Sequence, residues 1–113
     1  KTSETSGCKV FIAAAGMAAH LAGAVAAHSI RPVIGIPIES GGMGGLDSLL
    51  STVMMPPGVP VATVAVGKSG AKNSAILAVQ ILATSDKEFA QKLHDYKNNM
   101  REEVLKKDQA LNS

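Results

Sequence analysis

A histidine that follows a glycine turn is the first feature with the chemistry of a functional site. Gly16 ends an apolar run, and His20 comes four residues later, one turn into a predicted helix. Backbone amides at the start of a helix can face an anion, and an imidazole titrates close enough to neutral pH to donate or accept a proton. From position alone, a catalytic role for His20 and a packed, hydrogen-bonded side chain are equally compatible with the sequence.

The second feature is a glycine-rich loop, residues 39–45 (ESGGMGG), which has four glycines in seven residues. Loops of this kind can close over a bound ligand. The same composition is also typical of a surface loop with no ligand, and taken alone it favours such a surface loop over a ligand-binding one. The loop is not a dinucleotide-binding fingerprint, because the G-x-G-x-x-G spacing is absent.

Gly67-Lys68-Ser69 has the residues that end a phosphate-binding P-loop. That motif requires a glycine five residues before Gly67, and the chain has Ala62 there. The sequence therefore favours a plain turn with exposed lysines, Lys68 and Lys72, over direct contact with a substrate.

Metal ligation and serine-nucleophile chemistry have little support in the sequence. His28 and His94 have no partners at metal-ligand spacing, and Cys8 is the single cysteine. No Gly-x-Ser-x-Gly nucleophile elbow occurs. Cys8 is best interpreted as a structural thiol in a reducing compartment, which predicts a cytoplasmic protein.

The segments that carry these residues lie between alternating strands and helices. Apolar runs predict strands at residues 10–14, 33–36 and 61–66, and helical patterns follow at residues 17–28, 46–54 and 71–83. Alternation of this kind predicts an α/β fold with a parallel sheet. Ligands of open parallel sheets bind beyond the carboxyl ends of the strands, so residues 13–21, 39–47 and 67–73 are predicted to form one site there.

A closing helix and a subunit contact are also predicted. Ser85-Asp86-Lys87-Glu88 has the pattern of a capping box, in which Ser85 caps the amide of Glu88. The apolar residues behind it have helical spacing, which predicts an amphipathic helix: Phe89, Leu93, Tyr96, Met100 and Val104. The helix at 71–83 has an apolar second half, which predicts burial against another subunit.

Composition limits the class of protein. The chain has 113 residues, 46% of them hydrophobic, which suits one globular domain. A net charge of +2 without a dense basic face does not favour nucleic-acid binding. The apolar run after Lys9 resembles a signal or membrane segment, but Gly16, His20 and Gly23 interrupt it, so neither is expected.

Four segments resemble the class I PurE family: AAHLAGAVAA (18–27), PVIGIPI (32–38), GLDSLLSTVMMPPGVPVATVAVG (45–67) and SGAKNSAILAVQILA (69–83). The resemblance runs from Val10 to about Tyr96. It implies a flavodoxin-like three-layer α/β/α sandwich and a homo-oligomer, an octamer with active sites between subunits. It also implies a mutase, or isomerase, of purine biosynthesis that converts N5-carboxyaminoimidazole ribonucleotide to 4-carboxy-5-aminoimidazole ribonucleotide without a metal or organic cofactor.

The resemblance also assigns roles. The family's proposed mechanism releases CO2 from the carbamate in a closed pocket, carbon C4 of the aminoimidazole captures it, and a histidine moves the proton. His20 is the catalytic candidate. Substrate-binding candidates come from the segment around the imidazole and CO2 and from the family's mobile cover: Ala15, Gly16, Leu21, Ser40, Gly42 and Asp47.

The chain departs from the family in two ways. Ala14, Met17 and Ala22 stand where many members have Gly, Gly and Pro. The family's Gly-Ser-x-Ser-Asp and Ser-Ala-His-Arg motifs, which hold phosphate and shuttle the proton, have no counterpart. We therefore expect a domain over residues 1–113 that is incomplete at its N-terminus, and that is poorly soluble or inactive alone.

Three alternatives remain open at the level of sequence. The first is a non-catalytic subunit that retains the oligomer-forming helices. The second is a related carboxylase that uses CO2 directly, and the third is an unrelated flavodoxin-like domain that binds another nucleotide. The segment around His20 disfavours the carboxylase.

Overall fold

The computed structural model describes residues 9–15, 20–39 and 45–112. Along these ranges the elements are β1 (Phe11–Ala15), α1 (His20–His28), β2 (Val33–Pro37), α2 (Leu46–Val53), β3 (Ala62–Thr63), α3 (Lys68–Ala83) and α4 (Lys87–Asn112). The chain divides into two compact units, Lys1–Ala78 and Val79–Ser113. The first contains the sheet, and the second contains the end of α3 and all of α4.

The three strands form a parallel sheet in the order β1-β2-β3. Pairing of β1 with β2 runs from Phe11 opposite Val33 to Ala15 opposite Pro37, and β3 joins where Ile34 lies opposite Ala62. The predicted parallel α/β arrangement is confirmed, and it is consistent with a flavodoxin-like fold.

Strand β2 is the centre of the first unit, and all five of its residues are buried. Ala13, Ala22 and Val33 form the core cluster between β1, α1 and β2. Helix α2 approaches β2 closely, because a Cβ on Gly35 would lie 2.6 Å from Cγ2 of Thr52. Glycine at position 35 therefore sets the distance between this helix and the sheet.

Helix α2 turns small hydroxyl side chains inward and large apolar ones outward. Ser48 and Thr52 are each only 1% exposed, whereas Leu46, Leu50 and Val53 are about half exposed. The helix itself was expected at 46–54 and forms at Leu46–Val53. Its outward apolar face is the reverse of what an isolated surface helix shows.

The third strand is shorter than the predicted 61–66. After Thr63, the amide of Val64 still donates to the carbonyl of Gly35 at 3.2 Å, but the next bond to β2 is from Gly67 to Pro37 at 3.0 Å. The segment from Val64 to Gly67 is therefore one residue longer than the segment of β2 from Gly35 to Pro37 that it faces. The extra residue interrupts regular pairing, as in a β-bulge.

Helix α3 begins at Lys68, three residues before the predicted start at residue 71, so the plain turn predicted at Gly67, Lys68 and Ser69 was wrong for all but Gly67. Gly67 makes the turn alone, with φ +79°, and the amide of Ala71 already donates to its carbonyl at 3.0 Å. Gly70 is a helical residue whose hydrogen faces the carbonyl oxygen of Ala65, where a Cβ would not fit. Close packing, and not a turn, requires glycine at position 70.

The predicted capping box was displaced by one residue. Oδ1 of Asp86 accepts hydrogen bonds from the amides of Glu88 at 2.9 Å and Phe89 at 3.2 Å, so Asp86 caps α4. The amide of Glu88 that Ser85 was expected to cap donates to Asp86 instead, and the amide of Ser85 donates to the carbonyl of Leu82 at the end of α3.

Helix α4 is confirmed as a long helix with a partly apolar face. Phe89, Leu93 and Tyr96 are half-buried, while Met100 and Val104 further along are 49% and 65% exposed. In the part of the chain that the structure describes, no helix is both long and apolar enough to cross a membrane.

Candidate functional site

The carboxyl ends of β1 and β2 and the chain after β3 lie at the same edge of the sheet. Ala15, the last residue of β1, pairs with Pro37, the last residue of β2. The carbonyl of Pro37 accepts a hydrogen bond from the amide of Gly67 at 3.0 Å. The ends of β1 and β2 and the described chain after β3 therefore meet at one edge of the sheet, which is the edge where the sequence predicts a ligand site.

Helix α1 follows β1 in the chain, and its described part begins with His20. Leu21 follows in the same turn, so both predicted residues belong to the helix that comes after β1. Gly16 lies outside the described residues, as do Ser40 and Gly42 of the glycine-rich loop.

Ser48 links the start of α2 to the end of β2. Its hydroxyl donates a 2.7 Å hydrogen bond to the carbonyl of Ile38, the residue directly after β2. One turn later, the hydroxyl of Thr52 donates to the carbonyl of Ser48, also at 2.7 Å. The role of this pair was not predicted, although two hydroxyl residues four positions apart in an apolar helix are a visible signal in the sequence.

Gly45 fixes the start of α2 on its other side. The residue has φ +84°, a left-handed conformation that glycine adopts without strain. A Cβ at this position would lie 2.5 Å from Cγ1 of Val66, in the segment between β3 and α3. The start of α2 thus packs against the connection after β3, at the edge of the sheet where β2 ends.

Exposed charged side chains are available beside this edge. Asp47 lies in the first turn of α2, and Lys68 and Lys72 lie in the first two turns of α3. All three are exposed, as predicted for the lysines. They offer one carboxylate and two ammonium groups to a polar ligand.

Within residues 9–15, 20–39 and 45–112, no three His, Cys, Asp or Glu side chains are placed to hold a metal ion.

A cavity of about 450 Å³ lies at the edge of the sheet opposite the carboxyl ends of the strands, where the chain enters β2. Arg31, Pro32 and Pro60 are among its lining residues. Since open parallel sheets bind ligands at the carboxyl ends of their strands, this cavity is a poorer candidate for the site than the edge that contains His20 and Asp47.

A protein-family model described as AIR carboxylase matches residues 1–103 of the chain. The N5-carboxyaminoimidazole ribonucleotide mutase of Escherichia coli strain K12 is 51% identical over 105 residues, which are 93% of this chain and 62% of that protein. The mutase of Saccharolobus solfataricus is 55% identical over 105 residues, 93% of this chain and 65% of its own length.

The mutase of Bacillus subtilis strain 168 is 49% identical over 111 residues, or 98% of this chain and 68% of that protein. The chain thus spans about two thirds of the length of these curated relatives, and slightly less in the E. coli and S. solfataricus proteins.

Proposed function

Because the chain belongs to the AIR carboxylase family, we propose that it is part of an N5-carboxyaminoimidazole ribonucleotide mutase, an isomerase of purine biosynthesis. The observation that carries the proposal is the identity of about half of the residues, over nearly the whole chain, to proteins named as this mutase. The parallel sheet supports the same assignment, because the carboxyl ends of its strands offer a place for a small ribonucleotide.

The reaction moves a carboxylate between two atoms of one substrate. The N5–C bond of the carbamate breaks and releases CO2, and N5 takes up a proton. Carbon C4 of the aminoimidazole then attacks CO2 to form the new C–C bond, and C4 loses its proton. Atoms and charge balance without an external reductant or oxidant, so the protein must retain CO2 and move one proton. We propose no metal or organic cofactor for these steps.

We propose that His20 takes part in the proton movement or in placing the imidazole. Its backbone position, five residues after the end of β1 at Ala15 and in the helix that follows that strand, supports this role because ligands of parallel sheets bind beyond the carboxyl ends of the strands. Ala15, Gly16 and Leu21 are proposed to surround the imidazole and CO2. Ser40, Gly42 and Asp47 are proposed to contact the substrate from the connection after β2.

We also propose that the protein acts in the cytoplasm as a homo-oligomer, specifically an octamer, with one domain over residues 1–113 and no nucleic-acid or membrane partner. The outward apolar face of α2 supports self-association, since Leu46, Leu50 and Val53 remain about half exposed in the single chain. Helix α3 supports it too, because its apolar residues from Ile76 to Ala83 are only half-buried.

The test is a comparison of two substrates with the protein expressed from its complete reading frame. A mutase converts N5-carboxyaminoimidazole ribonucleotide when no CO2 or bicarbonate is added. A carboxylase, the activity that the family description names, needs aminoimidazole ribonucleotide together with CO2. Turnover of the carbamate substrate alone is the expected result. Turnover that depends on added CO2 would support the carboxylase, and a folded oligomer with neither activity would support a non-catalytic subunit.

A further inference from the structure

We propose that Ser48 is a positioning residue, whose hydrogen bond to the Ile38 carbonyl holds Asp47 and the start of α2 at the carboxyl end of β2. The inference rests on the proposed function, because the placement of Asp47 matters only if Asp47 contacts the substrate. Ser48 itself is only 1% exposed, so its role is to position its neighbour.

The hydrogen bond of Ser48 leaves its own helix. Hydroxyl side chains in helices commonly donate to a carbonyl one turn earlier in the same helix. Thr52 and Ser74 do so here, to Ser48 and Ala71. Ser48 instead donates to Ile38, ten residues earlier, at 2.7 Å. The bond therefore joins two elements across the connection between β2 and α2.

The two carbonyls at the end of β2 are fixed from different sides. Pro37 accepts from the amide of Gly67, after β3, and Ile38 accepts from Ser48. Gly45 in turn packs against Val66. The end of β2, the start of α2 and the connection after β3 are thus held together by two hydrogen bonds and one close contact.

Rotation of α2 about its axis decides where Asp47 points. Successive residues of a helix are about 100° apart around the axis, so an inward Ser48 leaves the neighbouring Asp47 turned away from the core and exposed. Loss of the bond to Ile38 removes the polar contact that fixes this rotation. Small displacements of a binding group matter, because productive geometry is held within about 0.5 Å.

The experiment compares steady-state kinetics of the complete protein with Ser48→Ala, Asp47→Asn and the double variant, on the carbamate substrate. We expect Ser48→Ala to raise KM about tenfold with little change in kcat, because ground-state binding is lost. The double variant should bind no more weakly than Asp47→Asn, since Ser48 acts through Asp47.

Two matched controls separate this effect from a general loss of stability. Ser85→Ala makes the same change at an exposed position outside α2 and should leave KM unchanged. Thr52→Val removes the other buried hydroxyl of α2 without touching the bond to Ile38, and it should lower stability without raising KM. If Ser48→Ala does not fold, Ser48→Cys keeps most of the volume but donates only a weak bond, and should raise KM in the same direction.

A KM for Ser48→Ala within about twofold of the wild-type value would overturn the role of Ser48, given its expected size. Independent effects of Ser48→Ala and Asp47→Asn that multiply in the double variant would overturn it as well. Absence of turnover in the wild-type protein would instead overturn the proposed function, and the role of Ser48 with it.

Discussion

Replacement of Gly35 by alanine tests the close approach of α2 to the sheet. The new Cβ would lie 2.6 Å from Cγ2 of Thr52 and 3.0 Å from Cγ1 of Val61. Thr52 has little room to turn away, because it is β-branched and its hydroxyl is bonded to the carbonyl of Ser48. The helix or the strand must therefore move.

Overpacking of a core by one methyl group costs about 1–3 kcal/mol. Alanine recovers about 0.5–1 kcal/mol of the conformational entropy that glycine loses in a strand. The two ranges leave a net decrease of about 0–2.5 kcal/mol in the free energy of unfolding, with a middle value of about 1 kcal/mol. A decrease of this size is readily measured against a total of about 5–15 kcal/mol.

The assay is urea unfolding followed by circular dichroism at one fixed protein concentration, so that self-association does not differ between variants. A second substitution identifies the clashing atom. Thr52→Ser deletes Cγ2 and keeps the hydroxyl, so alone it should cost about 0.8 kcal/mol for the lost methyl group. In the Gly35→Ala background it should cost nothing or stabilise the protein.

Gly23→Ala is the matched control, because the same methyl group is added in helix α1. There the Cβ would meet the terminal methyl of Met55 at 3.2 Å, and a methionine side chain adapts easily. Alanine also favours a helix by about 1 kcal/mol over glycine, so this variant should be neutral or more stable. A stable Gly35→Ala protein, or additive effects of Gly35→Ala and Thr52→Ser, would refute the reasoning.

Four further outcomes are expected. Asp86→Ala should lower the free energy of unfolding by about 1 kcal/mol through loss of the α4 cap, whereas Ser85→Ala should change it by less than about 0.5 kcal/mol. Equal effects of the two substitutions in urea unfolding would contradict the assignment of the cap to Asp86. Gly45→Ala should destabilise the protein by more than about 1 kcal/mol, because φ +84° and the contact with Val66 both exclude a Cβ, and an unchanged melting temperature would argue against this. His20→Ala should lower kcat about 10²-fold if the imidazole transfers a proton, and unchanged kinetics would favour a packed histidine. Sedimentation should show a homo-oligomer, and a well-behaved monomer would be inconsistent with self-association.

The order and type of the elements could be predicted from the sequence, because hydrophobic periodicity and glycine turns record them directly. Three elements differ from their predicted ranges by no more than one residue at either end: the strands Phe11–Ala15 and Val33–Pro37 and the helix Leu46–Val53. These elements are short apolar runs bounded by glycine or proline, where local sequence and tertiary packing agree.

The differences arise where a residue has a role that only tertiary contacts reveal. Gly70 has the composition of a turn, yet it is helical, and glycine is required there because the Ala65 carbonyl occupies the space of a Cβ. Ser85 matches a capping box, yet its backbone completes α3 and leaves Asp86 to cap α4. The Ser48 bond to Ile38 spans ten residues, and no local pattern encodes it. The roles of His20 and Asp47 remain predictions from the resemblance.

The central position of β2 has a consequence for synthesis on the ribosome. Both pairings of the sheet use this strand, and each parallel pair closes over one helical crossover. Strand β1 therefore has no partner in the described sheet until Pro37 has emerged, when five residue pairs become available together. The two residues of β3 arrive later and add to an existing pair, so the growing chain can assemble this sheet in the order in which its strands are translated.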